Sequence, residues 1–163
     1  MVTENDKNRL VEILLEDNLN QRISRDEEHE RAVAVHDIIQ NNKFVLNDHE
    51  LGPYTLILSA IENRLLFSVI GQDGTSLKKL QFPINALRSV IRDYFTVCES
   101  YFEAVKYASL SKIEAIDMGR RSLHNDGAEM VRSRLTPEIE IDEITSRGLF
   151  TLICVLHNES PRL

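Results

Sequence analysis

Residues 54–82 read YTLILSAIENRLLFSVIGQDGTSLKKLQF, and this stretch decides the fold class. Residues 54–60 and 64–70 are runs rich in β-branched and other apolar side chains, a pattern typical of strands. Asp73 and Gly74 then supply a tight-turn signal before a third run at residues 77–82. Three strands joined by short turns predict an antiparallel meander.

Helical patterns lie on both sides of the meander. Residues 10–15 (LVEILL) are apolar but short, which predicts a first strand. A capping box of Ser24 and Glu27 precedes apolar residues at helical spacing, which predicts a helix over residues 25–41. After the meander, long helices are predicted over residues 84–108 and from 111 or 112 to 134, where Pro137 prevents continuation.

The last part of the chain allows two interpretations. Residues 138–142 alternate charged and apolar side chains, as in a half-exposed edge strand, and Asp142 can cap a helix that runs to Leu156. Residues 149–156 are apolar almost all round, so the helix is favoured while a buried strand stays open. The element order predicts an α+β fold in which an antiparallel sheet of four to five strands packs against four helices.

The composition indicates one domain over residues 1–163, with flexible termini at 1–8 and 158–163. The 19 basic and 26 acidic residues give a net charge of −7, which argues against a nucleic-acid partner because phosphate binding needs clustered Lys and Arg. No apolar run approaches the roughly 20 residues that span a bilayer. We therefore expect a cytoplasmic protein outside the membrane.

The two cysteines belong to no recognisable motif. Cys98 and Cys154 each lack a second Cys two or three residues away, so a zinc or redox site of the Cys-x-x-Cys kind is excluded. Both are expected to be buried free thiols. We expect no metal and no cofactor.

Polar residues on the buried face of the first helix are candidate site residues. Glu28 and Arg31 fall in its apolar arc, where they either pair at a solvated helix end or place a catalytic acid or base. A metal site with His29 and His36 is disfavoured because their seven-residue spacing does not match that of a zinc-binding helix. The apolar arc is formed by Ala32, Val35, Ile38 and Ile39.

Two tyrosines lie in the wide apolar face of the helix over residues 84–108. Tyr94 and Tyr101 share this face, and their hydroxyl groups need hydrogen-bond partners if the face is buried. Both are candidate ligand-binding residues, although a core helix is the favoured interpretation. The rest of the face is formed by Leu87, Ile91, Cys98 and Val105, with Phe95 and Phe102 at its margin.

Arg120 points into the buried arc of the next helix, where an arginine requires an anion. Asp117 and His124, three residues before and four after it, share its edge. Either a carboxylate such as Glu28 holds Arg120 in a structural network, or the group binds a small anion. On the opposite side, a small-residue face would permit close approach of another helix or subunit; it is formed by Ala115, Gly119 and Ser122.

Two function classes follow from these residues. The favoured one is a non-catalytic binding or regulatory domain, with a small anion, a protein partner or a second copy of the chain as its ligand. The alternative is a hydrolase or transferase for an anionic metabolite, with His124 as acid or base, Arg120 holding the anion and Glu28 as an alternative base. No nucleophile elbow, P-loop or dinucleotide-binding motif occurs, which disfavours the common cofactor enzymes.

Several segments also resemble one protein family. They are EHER at 28–31, DYF at 93–95, CESYF at 98–102, IEAIDMGRR at 113–121 and LFTLICVLH at 149–157. Together they resemble Uncharacterised Protein Family 0262, a family of small alphaproteobacterial proteins, from the first helix to His157. The resemblance implies a bacterial, cytoplasmic, single-domain protein, and it implies no activity, cofactor or catalytic residue.

Overall fold

The computed structural model describes residues 7–16, 25–48 and 52–158. Within these ranges the predicted α+β fold is confirmed, with four helices and a mostly antiparallel four-stranded sheet. Of the predicted capping box, Ser24 and the side chain of Glu27 lie outside what the structure describes, as do most residues of the two predicted flexible termini. In chain order the elements are β1 (Leu10–Glu16), α1 (Arg25–Gln40), β2 (Phe44–Leu46), β3 (Tyr54–Ile61), β4 (Arg64–Ile70), β5 (Ser76–Pro83), α2 (Asn85–Tyr107), α3 (Leu110–Leu135), β6 (Ile139–Ile141) and α4 (Glu143–Asn158).

The meander predicted from residues 54–82 is present as β3, β4 and β5, paired antiparallel in that order. Gly74 takes a φ of 84° in the turn before β5, where a residue without Cβ is favoured. The Asp73 carboxylate accepts a hydrogen bond from the Thr75 backbone N–H at 3.0 Å, which stabilises the same turn. Pro83 ends β5 on the sheet edge, directly before α2.

The first strand departs from the antiparallel expectation, because β1 pairs with β3 in parallel and completes the sheet order β1-β3-β4-β5. A parallel pair needs a crossover connection, and α1 lies in that connection. Asn42, just after α1, binds the backbone of β1: its Oδ1 accepts from Leu10 N–H at 2.7 Å, and its Nδ2 donates to Leu10 C=O at 3.0 Å. One amide side chain thus holds the start of β1.

The end of the chain is a short strand followed by a helix. The predicted edge strand β6 pairs antiparallel with β2, a three-residue strand that periodicity could not reveal. Asp142 accepts hydrogen bonds from the Thr145 backbone N–H at 3.0 Å and from the Thr145 hydroxyl. The favoured helix over residues 149–156 is confirmed, and the buried strand is wrong.

Helix α4 is apolar almost all round because other elements surround it. It contacts α1, α3 and β3, and residues 152–156 are all buried. The core also contains the inward-facing residues of β3 and β4, namely Tyr54, Leu56, Leu58, Leu65, Phe67 and Val69. On α1 the buried alanine is Ala34, and Ala32 is exposed, so the arc that faces α4 is rotated from the predicted one.

Helices α2 and α3 form a hairpin that extends beyond the core. From residue 92 to residue 126 Ala104 alone is buried, so this part of the hairpin packs chiefly on itself. Val105 and Phe102, predicted at the centre and margin of a buried face, are 53% and 65% exposed. On this face Leu87 and Ile91 are buried, and Tyr94 and Phe95 pack against the core less completely.

Candidate functional site

Five of the seven residues predicted from sequence meet where α2, α3 and α4 adjoin. Asp117, Arg120 and His124 follow one another along the buried edge of α3, and Tyr94 and Tyr101 face them from α2. Helix α4 supplies further side chains. We call this group the three-helix cluster; it consists of Tyr94, Cys98, Tyr101, Asp117, Arg120, His124, Phe150, Thr151 and Cys154.

The charged part of the cluster is an arginine held by a carboxylate on its own helix. Arg120 donates from Nε and Nη2 to Asp117 Oδ1 at 3.1 and 2.6 Å, and Arg121 Nε lies 3.0 Å from Asp117 Oδ2. The guanidinium of Arg120 lies 5.1 Å from the centre of the Tyr101 ring, within the range of a cation–π contact. The hydrogen bonds from Arg120 hold the pKa of Asp117 below its usual value.

The inner part of the cluster is three packed rings. The centres of Tyr94, His124 and Phe150 lie 5.1 to 5.9 Å apart in edge-to-face geometry. Burial, followed by the interaction with Cys98, raises the pKa of Tyr94 to about 12. This phenol is therefore neutral at physiological pH, and its role is packing together with hydrogen bonding.

His124 is held in one tautomer by a threonine of α4. Its Nε2 lies 2.9 Å from Thr151 Oγ1, and the same hydroxyl donates its proton to the Arg147 carbonyl at 3.1 Å. Since a threonine hydroxyl has one proton, it must accept at His124, so Nε2 carries the hydrogen. Burial, and then the charges of Arg147 and Arg120, lower the pKa of His124, which is therefore neutral at pH 7.

The two cysteines are free thiols on the inner side of the cluster. Cys154 is buried and Cys98 is half-buried. Burial raises the pKa of both thiols, so neither is the thiolate that nucleophilic or metal-binding chemistry requires. The expectation of free thiols is confirmed for both, and full burial holds for Cys154 only.

Glu28 and Arg31, the other two predicted residues, lie elsewhere. The carboxylate that holds Arg120 is Asp117, and Glu28 instead lines a groove between β1 and α1. This groove has a volume of about 600 Å³ and is otherwise mostly apolar. Its lining residues are Ile13, Leu14, Leu15, Glu28, Arg31, Ala32, Val35, His36 and Ile39.

A second groove runs along the exposed half of the α2–α3 hairpin. It has a volume of about 590 Å³ and combines an apolar floor with acidic and basic side chains. Neither Arg120 nor His124 lines either groove. The second groove is formed by Thr96, Glu99, Ser100, Glu103, Ala104, Tyr107, Ala108, Lys112 and Ile116.

Sequence reasoning missed the contribution of α4 to the cluster. Thr151 is the one polar residue within the apolar run 149–156, which is a signal that could have identified it. Gly127 of α3 lies against α4, and a Cβ there would lie 2.2 Å from Cε1 of Phe150. The glycine therefore lets α3 approach α4 closely enough to form the cluster.

Residues 7–16, 25–48 and 52–158 contain neither a metal-binding group of side chains nor a membrane-spanning helix. No three His, Cys, Asp or Glu side chains in these ranges are grouped so that they could hold a metal ion. No helix in the same ranges has the length and apolar character needed to cross a membrane.

Comparison with known proteins places residues 7–159 under a family model described as an uncharacterised protein family, UPF0262. A UPF0262 protein of Paramagnetospirillum magneticum is 46% identical over 151 residues, which cover 93% of this chain and 96% of that protein. A UPF0262 protein of Brucella canis is 49% identical over 150 residues, covering 91% of this chain and 93% of that protein. No solved structure matches the chain.

Proposed function

The chain belongs to the uncharacterised protein family UPF0262, as the resemblance in its sequence predicted, and we propose that it is a non-catalytic binding domain of the cytoplasm. In this proposal the three-helix cluster is structural and the exposed α2–α3 hairpin binds a protein partner. A cytoplasmic location fits the two free thiols, which a reducing compartment maintains.

The observation that carries the proposal is that Asp117, Arg120 and His124 each bond to another side chain of the protein. Two guanidinium groups engage the Asp117 carboxylate, and the Nε2 hydrogen of His124 is bound by Thr151. A general acid or base has to reach its substrate, and neither His124 nor Arg120 lines either of the two grooves. His124 and Arg120 are arranged instead to join α2, α3 and α4.

Exposed apolar side chains on the hairpin support a protein partner. Ten large apolar side chains are exposed among the described residues, and five of them fall between positions 102 and 118. An exposed apolar patch rimmed by polar residues is a common feature of protein-binding surfaces. The five are Phe102, Val105, Tyr107, Leu110 and Met118.

A small anion is the second candidate ligand, because one carboxylate stands between two guanidinium groups. The Asp117, Arg120 and Arg121 side chains together carry a formal charge of +1, and the Arg121 side chain is 70% exposed. An anionic metabolite could bind Arg121 there without reaching His124. The anion hypothesis keeps the proposed non-catalytic role of the protein and changes only its ligand.

The partner hypothesis is tested by quantitative affinity capture with three forms of the protein. We expect a partner that wild type and an Ile144→Ser control retain and that a Phe102→Ser/Val105→Ser variant loses. Ile144 is 52% exposed on α4, so the control removes a comparable apolar side chain outside the hairpin. A partner retained equally by all three forms would contradict binding through the hairpin.

The anion hypothesis is tested by thermal unfolding with pyrophosphate and with citrate. A ligand that binds the native state raises Tm with concentration. A rise that Arg121→Gln removes would assign the ligand to this pair of arginines. Flat curves in both proteins would leave the protein-binding role as the one supported.

A further inference from the structure

Among the described residues, helices cover one face of the four-stranded sheet and leave the other open. Along β3 and β4, side chains alternate between the core and this second face, and those on the second face do not belong to the hydrophobic core or pack against it. The open face, as defined by its apolar members among the described residues, contains Leu14, Ile57, Ile61, Leu66 and Ile70. Leu14 and Ile61 are 46% and 58% exposed.

Most of the charge on the open face lies at its two edges, and Arg64 adds a positive charge at the start of the central strand β4. Glu12 and Glu16 project from β1 at one edge, and Lys79 projects from β5 at the other. Three strand spacings, about 14 Å, separate these edges, so the charges cannot pair within one copy. A partner that fits this face must therefore present basic groups at one edge and an acidic group at the other.

We infer that the open face binds a second copy of this chain, with the two sheets stacked about a twofold axis parallel to the strands. That axis places β1 of one copy over β5 of the other, so Lys79 lies between Glu12 and Glu16 of the second copy. A twofold axis across the strands would instead place β1 over β1 and β5 over β5, which brings like charges together.

Side-chain size on the open face favours the same arrangement. The strand register places Thr55 level with Ile70, Ile57 level with Ser68, and Ser59 level with Leu66. When β3 of one copy lies over β4 of the other, Ile57, Leu66 and Ile70 each face a small hydroxyl side chain, and Ile61 faces Arg64. Large and small residues then interdigitate, as in sheets packed face to face about 10 Å apart.

The area of the open face sets the expected strength of dimerisation. Four strands about 4.8 Å apart and about 25 Å long give roughly 500 Å² per copy, or about 1,000 Å² in total, which is the lower end of specific interfaces. We expect a dissociation constant on the order of 10 µM. Sedimentation velocity between about 1 and 300 µM therefore spans the transition from monomer to dimer.

Charge reversal tests the arrangement. Lys79→Glu makes both edges acidic and is expected to weaken dimerisation at least tenfold, whereas Lys106→Glu, the same change on α2, leaves it unchanged. The double variant Glu12→Lys/Glu16→Lys makes both edges basic and is also expected to weaken dimerisation. An equimolar mixture of the two weakened proteins should form a heterodimer, because one open face then has two acidic edges and the other has two basic edges.

Three results would overturn the inference: a monomer of 18.7 kDa throughout the concentration range, a dimer that Lys79→Glu leaves intact, or a dimer that Phe102→Ser/Val105→Ser abolishes. The last result would move self-association to the hairpin. Far-UV circular dichroism of each variant serves as the control that the fold is retained. Because these edges lie away from the hairpin, the inference and the proposed function fail independently.

Discussion

The close approach of α3 to α4 makes a measurable difference between two glycines that look alike in the sequence. A Cβ at Gly127 would lie 2.2 and 2.3 Å from Cε1 and Cζ of Phe150, whereas at Gly119 it would meet no atom within 4 Å. Ordinary contact begins near 3.4 Å, so Gly127→Ala requires a displacement of about 1.2 Å. Phe150 is fully buried against Tyr94 and His124, which leaves its ring little room to move.

Each Gly→Ala change gains about 1 kcal/mol of helix stability. Overpacking at Gly127 costs about 3 kcal/mol, the upper part of the usual range. Gly119→Ala should therefore stabilise the protein by about 1 kcal/mol, and Gly127→Ala should destabilise it by about 2 kcal/mol. In a chain of this size these changes correspond to a Tm rise of about 2–4 °C and a fall of about 4–8 °C.

Urea unfolding followed by far-UV circular dichroism, together with thermal melts, measures both variants. The difference between them isolates the packing cost because the helix-propensity gain is common to both. Adding Phe150→Leu to Gly127→Ala should recover part of the loss, which a double-mutant cycle resolves. Equal stabilisation by the two alanine variants would refute the close contact between α3 and α4.

Three further predictions concern single side chains. Asp142→Ala removes the cap at Thr145 and should cost about 1 kcal/mol in urea unfolding, whereas Glu143→Ala next to it should cost less. Arg120→Lys loses the planar contact with Tyr101 and should cost about 0.5–1 kcal/mol in the same assay. Folding lowers the pKa of His124 below its ordinary value of 6.5, so the unfolded chain binds the imidazole proton more tightly than the native protein does. The contribution of His124 to the free energy of unfolding is therefore full above pH 6.5 and falls as the pH drops through the lowered pKa. We expect His124→Gln to lose less stability than wild type between pH 7 and pH 5. Equal losses in the two proteins would exclude this effect.

The polar residues of α3 could be found from sequence because their relations are local. Asp117, Arg120 and His124 are spaced three and four residues apart, and helix geometry alone places them on one edge. Glu28 lies on a different helix, and no local rule decides whether it meets Arg120. The structure places it beside β1, and Asp117 takes the role considered for it.

Exposure of the hairpin could not be read from periodicity. Val105 and Phe102 continue the apolar face that Leu87 and Ile91 begin, but the core covers only the beginning of α2. A helical wheel reports which side of a helix is apolar and not how far its neighbours extend. For the same reason the open face of the sheet follows only from the placement of the helices.

By itself, the sequence determined the features that depend on neighbours along the chain: the meander at residues 54–82, its turn at Gly74, the four helices, and the edge shared by Asp117 and Arg120. The tertiary structure decided the parallel pairing of β1, the short strand β2, and the contrast between Gly119 and Gly127. Hydrogen bonds and side-chain spacing within a helix or hairpin are set over a few residues. Which elements then meet, and which faces stay open, depends on contacts between distant parts of the chain.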